Sequence, residues 1–164
     1  MSEKIIIKQA DIGDIEPLHE IERLCFPPEK AADFSAFEYR LDRFPQWFFK
    51  AELEGRIVGL IDGSSSDSPY ITDDLYDEGS DYNDSGENLL IYGLAVHPVY
   101  RHQGIARSLM SAFIEAARQA GKTHISLTCK ESLITFYESL GYTNHGVSES
   151  VKGNVTSYDM EMYL

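Results

Sequence analysis

The stretch "NLLIYGLAV", Asn88 to Val96, constrains the fold more than any other. A strand with one face in water alternates apolar and polar residues. A run that is apolar at nearly every position belongs to a strand covered on both faces, and so to a sheet with helices on either side. After the turn "HPVYRHQG", Ile105, Leu109, Phe113, Ile114 and Ala117 recur at helical spacing, and Gly121 supplies a C-terminal cap. Strand, turn and amphipathic helix in immediate succession place the chain in the mixed α/β (α+β) class. Gly93 interrupts the run at its middle, where a strand glycine marks a bulge or a close backbone approach.

The remaining segments read as further pieces of one layered domain. Residues 4–9, "KIIIKQ", predict a first strand, and Ile12, Ile15, Leu18, Ile21 and Cys25 recur at helical spacing behind it. "FPPEKAAD" breaks that helix at Pro27-Pro28, and a second helix is expected over 36–44, opened by a capping box of Ser35 and Glu38. Two β-rich runs flank Glu54-Gly55, which is a hairpin signal. Residues 64–87 lose apolar periodicity and carry no Lys or Arg, so an acidic loop insert is expected there. Within it, "DYNDSG" imitates the start of a calcium loop, but the twelfth position, which must supply a bidentate acid, is Tyr92, and calcium is rejected. "THISLTC" predicts a strand, "ESLITFYESLG" a helix ending at Gly141, and "VTSYDMEMYL" a last strand. With 164 residues and 43% hydrophobic content, a single domain over 1–164 can bury a core without disulfides or structural metal.

Charge singles out one place. The net charge of -13 disfavours nucleic acid and anionic membrane as partners, yet Arg101, His102 and Arg107 crowd around Gly104. A helix beginning near Gln103 leaves its first backbone N–H groups without intrahelical partners, and its dipole places partial positive charge there. Gly104 lets an anion reach the backbone, so the turn reads as a pyrophosphate cradle, although an ordinary surface turn with helix-flanking charges fits the same residues. A Walker loop would require Gly-Lys-Ser/Thr and a dinucleotide fingerprint three glycines, and neither is in place. No signal peptide or run of membrane-spanning length is visible. Cys25 and Cys129, with no C-x-x-C partner, read as reduced thiols of a cytoplasmic protein.

The segment Val96-His97-Pro98-Val99-Tyr100-Arg101-His102-Gln103-Gly104-Ile105-Ala106 resembles the acyl-CoA signature of the GNAT N-acetyltransferases. The core of that signature is Gln or Arg, two residues, Gly, one residue, then Gly or Ala, matched here by Arg101, Gly104 and Ala106. Phe136-Tyr137-Glu138-Ser139-Leu140-Gly141-Tyr142 resembles the family's second signature. The order strand, two helices, three strands, helix, strand, helix, two strands extends the resemblance over essentially the whole chain. It implies a single-domain GNAT-like fold with a mixed central sheet of about seven strands, flanking helices and a bulge in the central strand. Within the family, "IERLCFPP", "GRIVGLIDGS", "LAVHPVYRHQG" and "LTCKESLITFYESLGY" are most similar to the arylalkylamine (serotonin-type) branch.

What the resemblance implies is acetyl transfer from acetyl-CoA, without a metal, to an amine that attacks the thioester directly with both substrates bound. The backbone of Leu94, Ala95 and Val96 would pair with the pantetheine arm. Arg101, His102, Gln103, Gly104, Ile105, Ala106 and Arg107 would hold the pyrophosphate. The N–H of Leu94, freed by the bulge, would polarise the thioester carbonyl. Tyr137 matches the family's general acid and would also border the CoA: a phenol of ordinary pKa about 10 keeps its proton at neutral pH and can give it to the departing thiolate. Without the resemblance, Tyr137 reads as a half-buried aromatic packed beside Phe136.

The base does not carry over, because the positions of the two histidines of the animal arylalkylamine enzymes are occupied here by Leu90 and Tyr92. Glu29, beside Pro27-Pro28, is the leading replacement, followed by a water chain, with Glu22 placed on a helix face expected to be solvated. His97 reads as a surface residue before Pro98, and Cys129 as packing at a strand end. Phe26, Pro27 and Pro28 resemble the loop lining the amine pocket, and Tyr92 is the remaining acceptor-side candidate. The expected acceptor is a small aryl or alkyl amine or a polyamine, with a monomer or homodimer as the assembly. A protein N-terminal acetyltransferase of the ribosomal-protein type and a non-catalytic acyl-CoA-binding module are the alternatives.

Overall fold

The computed structural model describes residues 4–72, 83–150 and 155–164. Its elements are β1 (Ile5–Gln9), α1 (Ile15–Cys25), α2 (Phe34–Arg43), β2 (Phe48–Leu53), β3 (Arg56–Ser66), β4 (Asn88–Val96), α3 (Ile105–Gln119), β5 (His124–Cys129), α4 (Ile134–Ser139), β6 (Thr143–Val147) and β7 (Tyr158–Tyr163). The strands form one seven-stranded sheet in the order β1-β2-β3-β4-β5-β7-β6. β4 and β5 run parallel; the β1–β2, β2–β3, β5–β7 and β6–β7 pairs are antiparallel. Element order and a mixed sheet thus agree with the expectation. By contact density the chain divides into two compact units, Met1–Gly63 with Gly93–Glu115, and Ser64–Tyr92 with Ala116–Leu164.

In the first unit, α1 and α2 pack Leu18, Ile21, Ala36, Phe37 and Leu41 against Phe48, Leu60 and Ala95 of the strands. The β2–β3 hairpin turns through Glu54 and Gly55, both with positive φ (52° and 79°), as a two-residue turn matching strand twist requires. A Cβ at Gly59 would lie 3.1 Å from the Ala95 carbonyl oxygen and 3.2 Å from Leu109. Glycine there lets the first turns of α3 settle directly on the strands, burying Ile105 and Leu109. α2 begins at Phe34, with Asp33 as its N-cap accepting from the Ala36 N–H at 3.0 Å, not in the Ser35–Glu38 capping box expected from the sequence. Asp33 wins because its carboxylate satisfies an orphan N–H and complements the helix dipole, and Ser35 donates to that same carboxylate at 2.8 Å.

In the second unit, β3 continues to Ser66, with Ser64, Ser65 and Ser66 fully buried, so the insert opens later than Ser64. Serine is small enough to be buried in a strand, and hydrophobicity alone misplaces that boundary. The outgoing limb is fastened where Ser126 Oγ donates to the Pro69 carbonyl at 2.6 Å and Tyr70 donates to Glu161 at 3.0 Å. The returning limb is held by Lys122, whose ammonium donates to the carbonyls of Asp84 (3.0 Å) and Gly86 (2.6 Å). Residues 73–82 lie outside the described part, and with them the first two residues of the rejected calcium motif.

Glu161 also meets His124 Nε2 at 2.8 Å and His145 Nδ1 at 2.8 Å, and Tyr70 stacks on His145 at 4.4 Å. Burial alone would raise the Glu161 carboxyl, but the hydrogen bonds from His124 and Tyr70 and the charge of His145 outweigh it and hold it below its ordinary value. Burial and the Glu161 charge push Tyr70 up to about 12. No helix among the described residues is long and apolar enough to cross a membrane.

Candidate active site

β4 and the start of α3 carry the residues expected to hold CoA. The parallel register with β5 runs from Asn88 opposite His124 to Ile91 opposite Leu127, and Leu94 to Val96 lie beyond it. The His97 N–H donates to the Val58 carbonyl of β3 at 2.8 Å. Because successive residues of a strand direct their backbone groups to opposite sides, Ala95 also faces β3, whereas Leu94 and Val96 present theirs on the side away from it. The Val96 carbonyl there accepts from Cys25 Sγ and from Arg101 Nε, both at 3.2 Å.

The turn itself is exposed from Arg101 to Gly104. His102 and Gly104 both sit in the left-handed region, at φ 66° and 80°, and α3 begins at Ile105, two residues later than expected, with the Gly104 carbonyl accepting its first bond from Ser108 at 3.0 Å. Glycine relieves the strain of that geometry, and nothing among the described residues lies within 4 Å of where its Cβ would stand. Around it, His102, Gln103 and Arg107 are exposed, Ala106 is half-buried and Ile105 anchors the helix in the core. Arg101 folds back onto the strand end, its guanidinium meeting the Val96 carbonyl and Cys25 Sγ (3.5 Å). It therefore fixes the entry to the turn, and the side-chain charge around the turn comes from His102 and Arg107. Burial pushes the Cys25 thiol up despite the Arg101 hydrogen bond and charge. His97 caps the short 3-10 turn Pro98–Tyr100, its Nδ1 accepting from the Val99 N–H at 3.2 Å.

The link between α1 and α2 borders a cavity of about 380 Å³ lined by His19, Arg23, Phe26, Pro28, Ala31, Ala32 and Asp33. Two of the three residues expected on the acceptor side, Phe26 and Pro28, line it. Pro27 instead starts a turn, its carbonyl accepting from Lys30 and Ala31 at 2.9 Å each, and Glu29 is exposed on that turn. The floor is pinned to α1 at both ends of one residue: the Ala32 N–H donates to Glu22 Oε2 at 2.9 Å, and the Ala32 carbonyl meets His19 Nε2 at 3.1 Å. Glu22 is buried, which corrects the solvated helix face expected from the sequence. A hydrophobic pattern places a glutamate outward by default, whereas here the Ala32 N–H holds it inward.

Arg40 of α2 is likewise buried and pairs with Asp62 of β3 at 2.9 Å. Asp62 is fully buried, and desolvation raises its carboxyl above the ordinary value against the opposing pull of Arg40. Gly93 lies beneath: a Cβ there would come within 3.0 Å of Asp62 Oδ1 and 3.5 Å of Glu22 Oε1. Of the two meanings offered by a strand glycine, a close approach is the one seen, and what approaches is a pair of carboxylates. Asp62 and Arg40 did not emerge from sequence reasoning. The available signal was a charged residue inside the apolar strand "IVGLIDG".

In the second unit, Tyr137 is buried on α4, its ring 5.1 Å from Phe136 and 6.1 Å from Tyr142. α4 is shorter than expected, because Glu131–Leu133 form a 3-10 turn before it. Tyr92 bonds to Ser64 Oγ at 2.6 Å and packs beside Ile71 and Leu90. Cys129 is buried at the end of β5, as expected.

The acetyltransferase (GNAT) family model matches residues 15–142. Among curated proteins, the chain is 30% identical over 123 residues to a probable hydrolase of Bacillus subtilis (strain 168), covering 71% of this chain and 24% of that protein. It is 27% identical over 112 residues to the serotonin N-acetyltransferase of Mesocricetus auratus, covering 68% and 53%. The chain therefore spans about a quarter and about half of the lengths of these relatives. The loading GNATL domain of CurA from Lyngbya majuscula shares the fold, with a TM-score of 0.86 over 98% of both chains at 17% identity. The family match runs through both signature segments and most of the elements that carry them, and the chain belongs to the acetyltransferase (GNAT) family.

Proposed function

We propose that this chain transfers an acetyl group from acetyl-CoA to a small primary amine, an aryl or alkyl amine or a polyamine, by direct attack in a ternary complex. The observation that carries the reading is the strand-turn-helix from Leu94 to Arg107. There, backbone groups turned away from β3 lead into an exposed left-handed turn capped by Gly104. Leu94 and Val96 serve the pantetheine arm, with Ala95 between them turned to β3, and the turn with the first N–H groups of α3 serves the pyrophosphate. The Leu94 N–H polarises the thioester carbonyl, and Tyr137 protonates the departing thiolate.

Phe26 and Pro28 give the acceptor side an apolar wall, which suits an aromatic or alkyl amine. The serotonin N-acetyltransferase relative supports a small acceptor, and on that ground we place the chain nearest the arylalkylamine-type branch. Glu29, on the same link, and Tyr92 are the remaining acceptor-side candidates. Cys25 and Cys129, neither of them in a disulfide, suit a cytoplasmic enzyme, acting as a monomer or homodimer.

The test is thiol release from acetyl-CoA against panels of arylalkylamines, polyamines and short peptides. Turnover with small amines and not with peptides is expected. Turnover with peptides alone would replace the acceptor by a protein N-terminus, and silence with acetyl-CoA still raising the melting temperature would leave a binding module.

A further inference from the structure

Acetyl transfer to an amine leaves one question that the signature residues do not answer: where the proton of the attacking nitrogen goes. Carboxylates are the natural receivers, and the sequence offers Glu29 for the role. In the structure Glu29 is exposed on the Pro27–Ala31 turn, whereas two other carboxylates converge next to β4. Asp62 Oδ2 is taken up by the Arg40 guanidinium at 2.9 Å, which favours the anion, while Asp62 Oδ1 is buried with no hydrogen-bond partner among the described residues. Both Oδ1 and Glu22 Oε1 lie within 3.5 Å of the point where a Cβ on Gly93 would stand. Gly93 immediately precedes Leu94, the residue whose N–H is assigned to the thioester oxygen.

A buried carboxylate with one oxygen clamped by arginine and the other left open is costly unless the open oxygen has work to do. We propose that Asp62 is the proton acceptor of the transfer, with its Oδ1 receiving the amine proton where Gly93 sets no side chain against it, and with Glu22 and Arg40 as positioning residues. This rests on the acetyl-transfer reading above. As nitrogen bonds to the acetyl carbon, the carbon–sulfur bond breaks. Nitrogen gives its proton to Asp62, the departing sulfur takes one from its general acid, and exchange with solvent restores both groups.

The groups facing Asp62 set its proton affinity. Burial raises it and Arg40 from α2 lowers it, and Glu22 from α1 lies beside the same point of β4.

The experiment is the pH profile of kcat/KM for wild type, Asp62→Asn, Gly93→Ala and Glu29→Gln, each with two primary amines of different basicity. In wild type, one acid limb is expected to follow the basicity of the amine and a second to stay fixed. Asp62→Asn should abolish the fixed limb and lower turnover about 100-fold at neutral pH, with acetyl-CoA affinity unchanged. Gly93→Ala keeps both carboxylates and sets a methyl against Asp62 Oδ1, so a similar loss is expected there, which covers an Asp62 variant that fails to fold. A fixed limb that persists in Asp62→Asn, or that disappears in Glu29→Gln instead, overturns the proposal, as does undiminished turnover in Gly93→Ala. Wild-type silence toward every amine would overturn the acetyl-transfer reading itself, and the proposal with it.

Discussion

The Arg40–Asp62 pair is nearly dry, with side chains 4% and 1% exposed. At that burial the desolvation of each ion rivals their attraction, so the two are of little net value together but costly apart. Arg40→Met should lower the unfolding free energy by about 3–5 kcal/mol, read by urea denaturation, because it strands the Asp62 charge. A loss under about 1 kcal/mol would mean that Asp62 is already neutral in the folded chain. Tyr137 poses the opposite case, a residue whose function and packing separate cleanly. Tyr137→Phe keeps the ring against Phe136 and Tyr142 and removes only the hydroxyl. Turnover should fall on the order of 100-fold while acetyl-CoA affinity stays within about twofold. Parallel loss of affinity would assign the hydroxyl to structure or to binding.

Among the elements, α3 is the one whose seating decides the turn proposed to bind CoA, and Gly59 bears on that seating. A methyl at 59 would press on the Ala95 carbonyl at 3.1 Å, Leu109 at 3.2 Å and Ile105 at 3.3 Å. Gly59→Ala should cost about 1–3 kcal/mol by denaturation and raise the KM for acetyl-CoA, since the displaced helix carries the turn with it. An unchanged KM would show that α3 is placed by Phe113 and Trp47 instead. The same elements explain what the sequence disclosed. The apolar run of β4, the α3 periodicity ending in a Gly121 cap (φ 75°) and the Glu54-Gly55 hairpin are local signals, and all three appear where expected. Boundaries moved where a side chain made a bond that pattern does not reveal, as Asp33 did at α2. The residues proposed as acid and cradle lie in contiguous signatures, which is why the sequence alone suggests them. Glu22, Arg40 and Asp62 do not, because they meet from α1, α2 and β3, and nothing local links a glutamate, an arginine and an aspartate so far apart in the chain.

For the whole molecule, buried carboxylates pull the pH dependence of stability in two directions. Glu161 is held below its ordinary value, so its contribution is present above that value and is lost as pH falls through the folded one. Glu161→Gln should therefore flatten the fall of the melting temperature on acidification, and an unaltered slope would show that His124, His145 and Tyr70 do not hold the anion. Asp62 is raised, so its contribution is present below its ordinary value and is lost as pH rises through the folded one; Asp62→Asn should remove that decline.

The acetyl group of acetyl-CoA can end on an amine or on water. The most direct test follows labelled acetyl from acetyl-CoA in the presence and absence of a primary amine. Direct transfer predicts label appearing in the acetylamine in equal amount to free thiol, with intersecting initial-velocity lines and a silent blank. Label released as acetate at the same rate without an amine would contradict it.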